Sequence, residues 1–166
     1  MTSDSGDDTP AGSGPGPNMR AIEVWDRVIR DMEATVAEYD DAGWDTLQLH
    51  PGDVTVAPKA NPPGIDAVLP NPEFEALQAH VDTGVTFTEY DVFRAGGEDL
   101  EFALLVAKDS ARETAVFLPL YYRLRDIAEI LGPGDTTTLP LYLRQLDEEA
   151  VMLELTEPEL LLPEDE

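Results

Sequence analysis

From residue 18 onward, apolar residues recur at alternating steps of three and four, which predicts one long amphipathic helix. The predicted apolar stripe consists of Ile22, Trp25, Ile29, Met32, Val36 and Tyr39. Gly43 stands where a left-handed residue would end this helix, and Trp44 is placed to pack back on Tyr39 in a Schellman motif. Residues 1–17, in contrast, are mostly Gly, Ser, Pro, Thr and Asp and offer almost nothing to bury. We therefore predict a disordered acidic arm over residues 1–17 and a single domain over residues 18–166.

Most of the remaining chain alternates between apolar and polar positions, which predicts strands. A hairpin is predicted over residues 45–58, around the turn His50-Pro51-Gly52-Asp53, and a proline-rich loop over residues 59–70. Further strands are predicted over residues 85–95, 100–106, 114–120, 137–146 and 150–156. Two more helices are predicted, one between Asn71 and Gly84 and one over residues 121–131. This order predicts an α+β fold, in which about three helices pack on one side of a mostly antiparallel sheet of five to seven strands.

The net charge of the chain indicates the salt concentration in which such a domain can fold. The chain carries 35 Asp and Glu against 10 Lys and Arg, a formal charge of −25, and this surface would repel itself strongly in dilute buffer. In about 1 M salt the Debye length falls to about 3 Å, and the repulsion is largely screened. We therefore predict a protein adapted to a high-salt, K⁺-rich cytoplasm. The alternative is that the acids imitate nucleic acid or bind a basic protein, but they are spread through every segment of the chain.

The composition also narrows the classes of partner and chemistry. No basic patch is present, which predicts that the protein does not bind nucleic acid. No apolar run would span a membrane, and the N-terminus lacks a signal-peptide pattern, so we predict a cytoplasmic location and no membrane binding. The absence of cysteine excludes disulfides and thiolate chemistry. No G-x-S-x-G, Walker or G-x-G-x-x-G sequence occurs, so no catalytic residue and no cofactor is predicted.

The two histidines, His50 and His80, are the candidates for metal binding or for general base catalysis. With carboxylates they would make an adequate zinc ligand set, but neither lies in an H-E-x-x-H or similar motif, so no metal site is predicted. His50 and Asp53 form a candidate polar site, because an aspartate can orient an imidazole as a general base. The interpretation that we prefer is structural, with Asp53 capping the Pro-Gly turn through its own backbone.

Aromatic and basic residues are concentrated at one place in the chain. This candidate ligand site consists of Tyr121, Tyr122, Arg123 and Arg125. The two guanidinium groups would suit a small anion or a nucleotide, on which a tyrosine can stack. The interpretation that we prefer is that both arginines pair along a helix, Arg123 with Asp126 and Arg125 with Glu129.

Five segments of the chain are distinctive as sequence motifs. They are W-D-R-V-I-R-D-M-E-A-T-V-A-E-Y from Trp25, G-W-D-T-L-Q-L-H-P-G-D-V from Gly43, and the later F-T-E-Y-D-V-F-R-A, A-V-F-L-P-L-Y-Y and L-T-E-P-E-L-L-L. Together they resemble an uncharacterised family of small acidic proteins from halophilic archaea, over residues 19–163. Because the function of that family is unknown, the resemblance implies no catalytic residue.

These observations lead to three hypotheses about function. The leading one is a non-enzymatic domain that binds a protein partner or associates with itself, since no nucleophile or cofactor loop is evident. The stripe of the first helix would suit a seam between subunits, although we prefer that it packs on the sheet. The alternative is a small-anion or nucleotide-binding protein, with or without enzyme activity, that uses the tyrosines and arginines at 121–125. The third is a metal-dependent enzyme that uses His50 or His80.

Overall fold

The computed structural model describes residues 17–95, 100–132, 137–146 and 150–163. These residues form three α-helices, α1 (Pro17–Asp41), α2 (Asn71–Asp82) and α3 (Leu124–Leu131), and a short 3-10 helix over Pro158–Leu161. They also form eight strands, β1 (Asp45–Gln48), β2 (Asp53–Ala57), β3 (Gly64–Val68), β4 (Glu89–Ala95), β5 (Leu100–Asp109), β6 (Thr114–Arg123), β7 (Leu139–Arg144) and β8 (Ala150–Leu155). The predicted arm lies outside the described residues except for Pro17, where α1 begins.

The strands form two sheets of four strands each, not the single sheet that the sequence predicted. The inner sheet has the strand order β1-β6-β5-β4, and the outer sheet has the order β2-β3-β7-β8. Neighbouring strands are antiparallel except for the parallel pairs β1–β6 and β3–β7. The α+β class and the three helices are confirmed, whereas the eight strands exceed the five to seven predicted.

The three layers of the domain follow from the alternation of side chains along the inner sheet. On β5, Phe102, Leu104 and Val106 pack against α1, while Ala103 and Leu105 face the core shared with the outer sheet. Because both faces of β5 are buried, all its residues from Phe102 to Ala107 are apolar. The prediction that all helices pack on one side of the sheet is wrong. α1 covers the inner sheet, whereas α2 and α3 supply buried residues to the core between the two sheets.

The C-terminal end of α1 forms the Schellman motif that the sequence predicted. Gly43 has a φ of +91°, and its N–H donates to the Asp40 carbonyl at 3.0 Å. The Trp44 N–H donates to the Tyr39 carbonyl at 3.0 Å, and the two rings meet edge-on with their centroids 5.2 Å apart. The prediction that the apolar stripe of α1 is buried is confirmed for Met32 and Val36. It is wrong at the start of the helix, where Ile22 is 59% exposed.

The predicted hairpin over residues 45–58 is wrong, because β1 and β2 belong to different sheets. β1 pairs in parallel with β6, and the Leu49 N–H continues this ladder to the Phe117 carbonyl. The chain then crosses to the outer sheet, where the Gly52 N–H donates to the Val68 carbonyl. The chain bends at Gly52, and the Pro-Gly sequence itself does not reveal which strand β2 pairs with.

Two further predictions are corrected by strand pairing. The proline-rich loop over residues 59–70 contains β3, which pairs with both β2 and β7. A Cβ at Gly64 would collide with the Pro140 carbonyl oxygen, so β3 and β7 can approach closely only because residue 64 is glycine. The helix predicted over residues 121–131 begins only at Leu124, since Tyr121, Tyr122 and Arg123 still pair with β5.

Candidate functional site

The carboxylate that contacts His50 is Glu73, in the first turn of α2, and not Asp53 of the candidate polar site. The Glu73 Oε2 atom lies 2.7 Å from Nδ1 of His50, and Oε1 accepts the His50 backbone N–H at 2.6 Å. Asp53 is exposed at the start of β2. Glu73 therefore orients the imidazole of His50 and, through the His50 backbone N–H, anchors the segment that connects β1 to β2.

His80 lies in the last turn of α2 and is half-buried. Among the described residues, no group of three or more His, Asp or Glu side chains is arranged to hold a metal ion. His50 and Glu73 form a pair, which is one ligand short of the three protein ligands that catalytic zinc sites use.

The two tyrosines of the candidate ligand site point to opposite sides of β6. Tyr121 faces α1, where its ring meets Trp25 edge-on with the centroids 5.5 Å apart, and its hydroxyl accepts the Val54 N–H at 3.2 Å. Tyr122 faces the core between the sheets and donates its hydroxyl to the Leu161 carbonyl at 2.7 Å. Burial, to which the charge of Glu101 adds, raises the pKa of Tyr122 above the ordinary value for tyrosine.

The two arginines of that site are both exposed, Arg123 at the end of β6 and Arg125 in the first turn of α3. Within the described ranges, no ion pair joins Arg125 to Glu129. Tyr122 is thus buried while Arg123 and Arg125 are exposed, and anion binding at Arg123 and Arg125 stays a prediction.

An apolar cavity at the N-terminal end of α1 brings together residues of the α1 stripe and Tyr121 of the candidate ligand site. We call it the helix-end cavity, and it has a volume of about 350 Å³. Its lining consists of Ala21, Ile22, Trp25, Pro51, Gly52, Leu100, Phe102 and Tyr121. Tyr121 thus lies beside the turn that follows His50, and none of the described lining residues is charged. The sequence placed Ile22 in the core stripe and so missed it as a surface residue.

Arg94 and Glu101 form a second feature that sequence analysis missed. Glu101 is only 3% exposed, and its Oε2 atom accepts a hydrogen bond from Nη1 of Arg94 at 2.8 Å. Burying an ion pair costs desolvation, which good geometry between the partners offsets. The pair is accounted for within the fold, since Arg94 neutralises the Glu101 carboxylate.

The fold and these surfaces define a small three-layer α+β domain with an apolar cavity at one end of its first helix. The chain matches the model of a family of unknown function, DUF7529, over residues 17–163, and it belongs to that family. No curated protein and no solved structure matches the chain. No helix among the described residues combines the length and the apolar character needed to cross a membrane.

Proposed function

We propose that this chain is a non-enzymatic protein-binding domain that associates with a second copy of itself through the helix-end cavity. The observation that carries the proposal is Ile22, a large apolar side chain that is 59% exposed at the edge of an apolar cavity. A two-fold interface uses the same surface on both copies, so that surface must be complementary to itself. Here Ile22 of each copy would enter the helix-end cavity of the other.

The uncharged side chains that line the helix-end cavity favour a second copy as its partner. With a net charge of −25 on each chain, two copies repel each other over most of their surface. Among the described lining residues, the helix-end cavity holds no charged side chain. Phe93 is also exposed, at 54%, but the cavity beside it includes Asp31 and Arg94 in its lining. The helix-end cavity is therefore a better interface for two acidic copies than the cavity beside Phe93.

Trp25 and Tyr121 give this patch the composition of a binding site. Aromatic residues dominate the energetically important positions of protein interfaces. The edge-on contact between Trp25 and Tyr121 holds both rings in place before binding, so little side-chain entropy would be lost on association.

The setting that we propose is the high-salt cytoplasm of a halophilic archaeon. Its support is the net charge of −25, which opposes both folding and association unless salt screens it. Anion or nucleotide binding has less support, because Tyr122 is buried and its hydroxyl is bonded to Leu161.

The test uses Trp25 as a reporter, in a chain where the other tryptophan is removed by Trp44→Phe. In molar KCl, Trp25 emission should shift to shorter wavelength as the protein concentration rises, because association removes water from the cavity. Ile22→Ser should abolish the shift within the same range. The loss of two Ile22 side chains at about 1.5 kcal/mol each weakens a symmetric dimer by about a hundredfold.

Leu146→Ser is the matched control, since Leu146 is 74% exposed and lies outside the cavity lining. It should shift like the parent chain. An equal concentration dependence in the Ile22→Ser and Leu146→Ser variants, or none in the parent, would overturn the proposal.

A further inference from the structure

A second cleft opens between the two edge strands of the domain, on the side away from β1 and β2. It lies between β8, the edge of the outer sheet, β4, the edge of the inner sheet, and the C-terminal end of α2. Its volume of about 530 Å³ exceeds that of the helix-end cavity. We call it the edge cleft, and the proposed function makes no use of it.

The edge cleft follows the backbone of β8 and not one face of its sheet. Five consecutive residues, 150–154, line it. Side chains of a strand point alternately to opposite faces, so an unbroken run in the lining means that the strand edge itself borders the cleft. The N–H and C=O groups along such an edge can pair with another extended chain, except at Glu154, whose backbone already hydrogen-bonds the Tyr90 hydroxyl.

The walls of the edge cleft expose two large apolar side chains. Val81, on α2, is 37% exposed, and Met152, on β8, is 47% exposed. Val85 and Leu153, which also line the cleft, are buried. Met152 can adapt its shape to different apolar partners because its side chain is unbranched and flexible.

The charged side chains among the described lining residues of the edge cleft are both acidic. Asp82 and Glu154 line it, and the described lining residues include no Lys or Arg. Burial raises the pKa of Tyr90, which also lines the cleft, to about 12, and the Glu154 charge adds to this effect. A tyrosine is uncharged at neutral pH in any case, so among the described lining residues Asp82 and Glu154 are the ones that contribute charge there.

We propose that the edge cleft binds an extended, basic and apolar segment of a partner protein, which adds to β8 as a fifth strand of the outer sheet. Apolar residues of the segment pack against Val81 and Met152, and its Lys or Arg residues pair with Asp82 and Glu154. A negatively charged segment is disfavoured, because it would meet the same two carboxylates and the net charge of the chain.

The probe for this proposal is a labelled peptide that repeats Val-Val-Lys-Lys, so that each of its faces presents both valine and lysine, as Met152 and Glu154 on one face of β8 require. A Val-Val-Glu-Glu peptide serves for comparison. The full chain should bind the lysine peptide and not the glutamate peptide in a fluorescence anisotropy titration. Binding should weaken as KCl is raised, because salt screens exposed charge pairs. Self-association at the helix-end cavity should strengthen with salt, so failure of one proposal can be told apart from failure of the other.

The decisive variant is Asp82→Asn combined with Glu154→Gln, which should lower the affinity for the lysine peptide by about fivefold. Both residues are exposed, so the fold should be retained. The matched control is Asp26→Asn with Glu33→Gln on α1, which removes the same charge from exposed positions outside the cleft and should leave the affinity unchanged.

Amide chemical shifts locate the bound peptide. The proposal expects the largest changes along residues 150–154. It is overturned if the chain does not bind the lysine peptide, if the two double variants bind it equally, or if the changes centre on the helix-end cavity.

Discussion

Arg94 donates a hydrogen bond from Nη1 to the buried carboxylate of Glu101 at 2.8 Å, and Glu101 lies opposite Tyr122 in the pairing of β5 with β6. Removing one partner of a buried ion pair leaves an uncompensated charge, which typically costs about 3–5 kcal/mol. Arg94→Met should therefore lower the free energy of unfolding by about this amount in urea titrations at constant KCl. The double variant with Glu101→Met should recover most of the loss, because no charge is left unpaired. Equal stability of Arg94→Met and the parent would show that water already solvates Glu101.

Stability should fall at alkaline pH because two tyrosines are protected from ionisation. Burial raises the pKa of Tyr90 from 10.0 to about 12 and raises that of Tyr122 as well. Above about pH 10 the unfolded chain loses these protons while the folded chain keeps them, so the free energy of unfolding decreases as pH rises. Each tyrosine contributes at most about 1.4 kcal/mol per pH unit. Tyr90→Phe should reduce the slope between pH 10 and about 12. An unchanged slope would mean that Tyr90 ionises alike in both states.

Three glycines should tolerate alanine very differently. Gly43→Ala should cost about 1–2 kcal/mol, because φ is +91° there although the space around it is open. Gly64→Ala should cost more, since its Cβ would meet the Pro140 backbone. Gly52 has open space and no positive φ, so Gly52→Ala serves as the control and should be close to neutral. Thermal unfolding of the three variants at one salt concentration would check this order, and a large loss at Gly52 would contradict it.

The Schellman motif shows what could be predicted from the sequence. Tyr39, Gly43 and Trp44 are close neighbours in the chain, so local backbone geometry decides how they meet. The same holds for the start of α2 at Asn71 and for the burial of β5. In each case the deciding interactions are local or follow from hydrophobic periodicity.

The partner of His50 and the helix-end cavity depend on contacts between residues that are far apart in the chain, and such contacts could not be predicted from the sequence. Glu73 lies 23 residues from His50, and in a chain with 35 acids no pattern distinguishes it as the partner. The periodicity that buries Met32 also includes Ile22, but no element of the part of the chain that the structure describes covers the start of α1 there. The pairing of β1 with β6 is likewise decided by tertiary packing and not by strand propensity.

Removing salt should loosen the fold, because 35 acids face only 10 basic residues. The urea midpoint should be lower in dilute buffer than in molar KCl, since unscreened repulsion acts on the compact state. Circular dichroism during urea titration at both salt concentrations would measure this. Sucrose at equal osmolality is the control for effects that do not involve charge. Equal midpoints at low and high KCl would contradict adaptation to high salt.

Sedimentation equilibrium in molar KCl tests self-association through Ile22 most directly. The parent chain should approach twice the chain mass of 18.2 kDa as its concentration rises, while Ile22→Ser should remain at the single-chain mass. A parent chain that keeps the single-chain mass at every concentration would contradict the proposal.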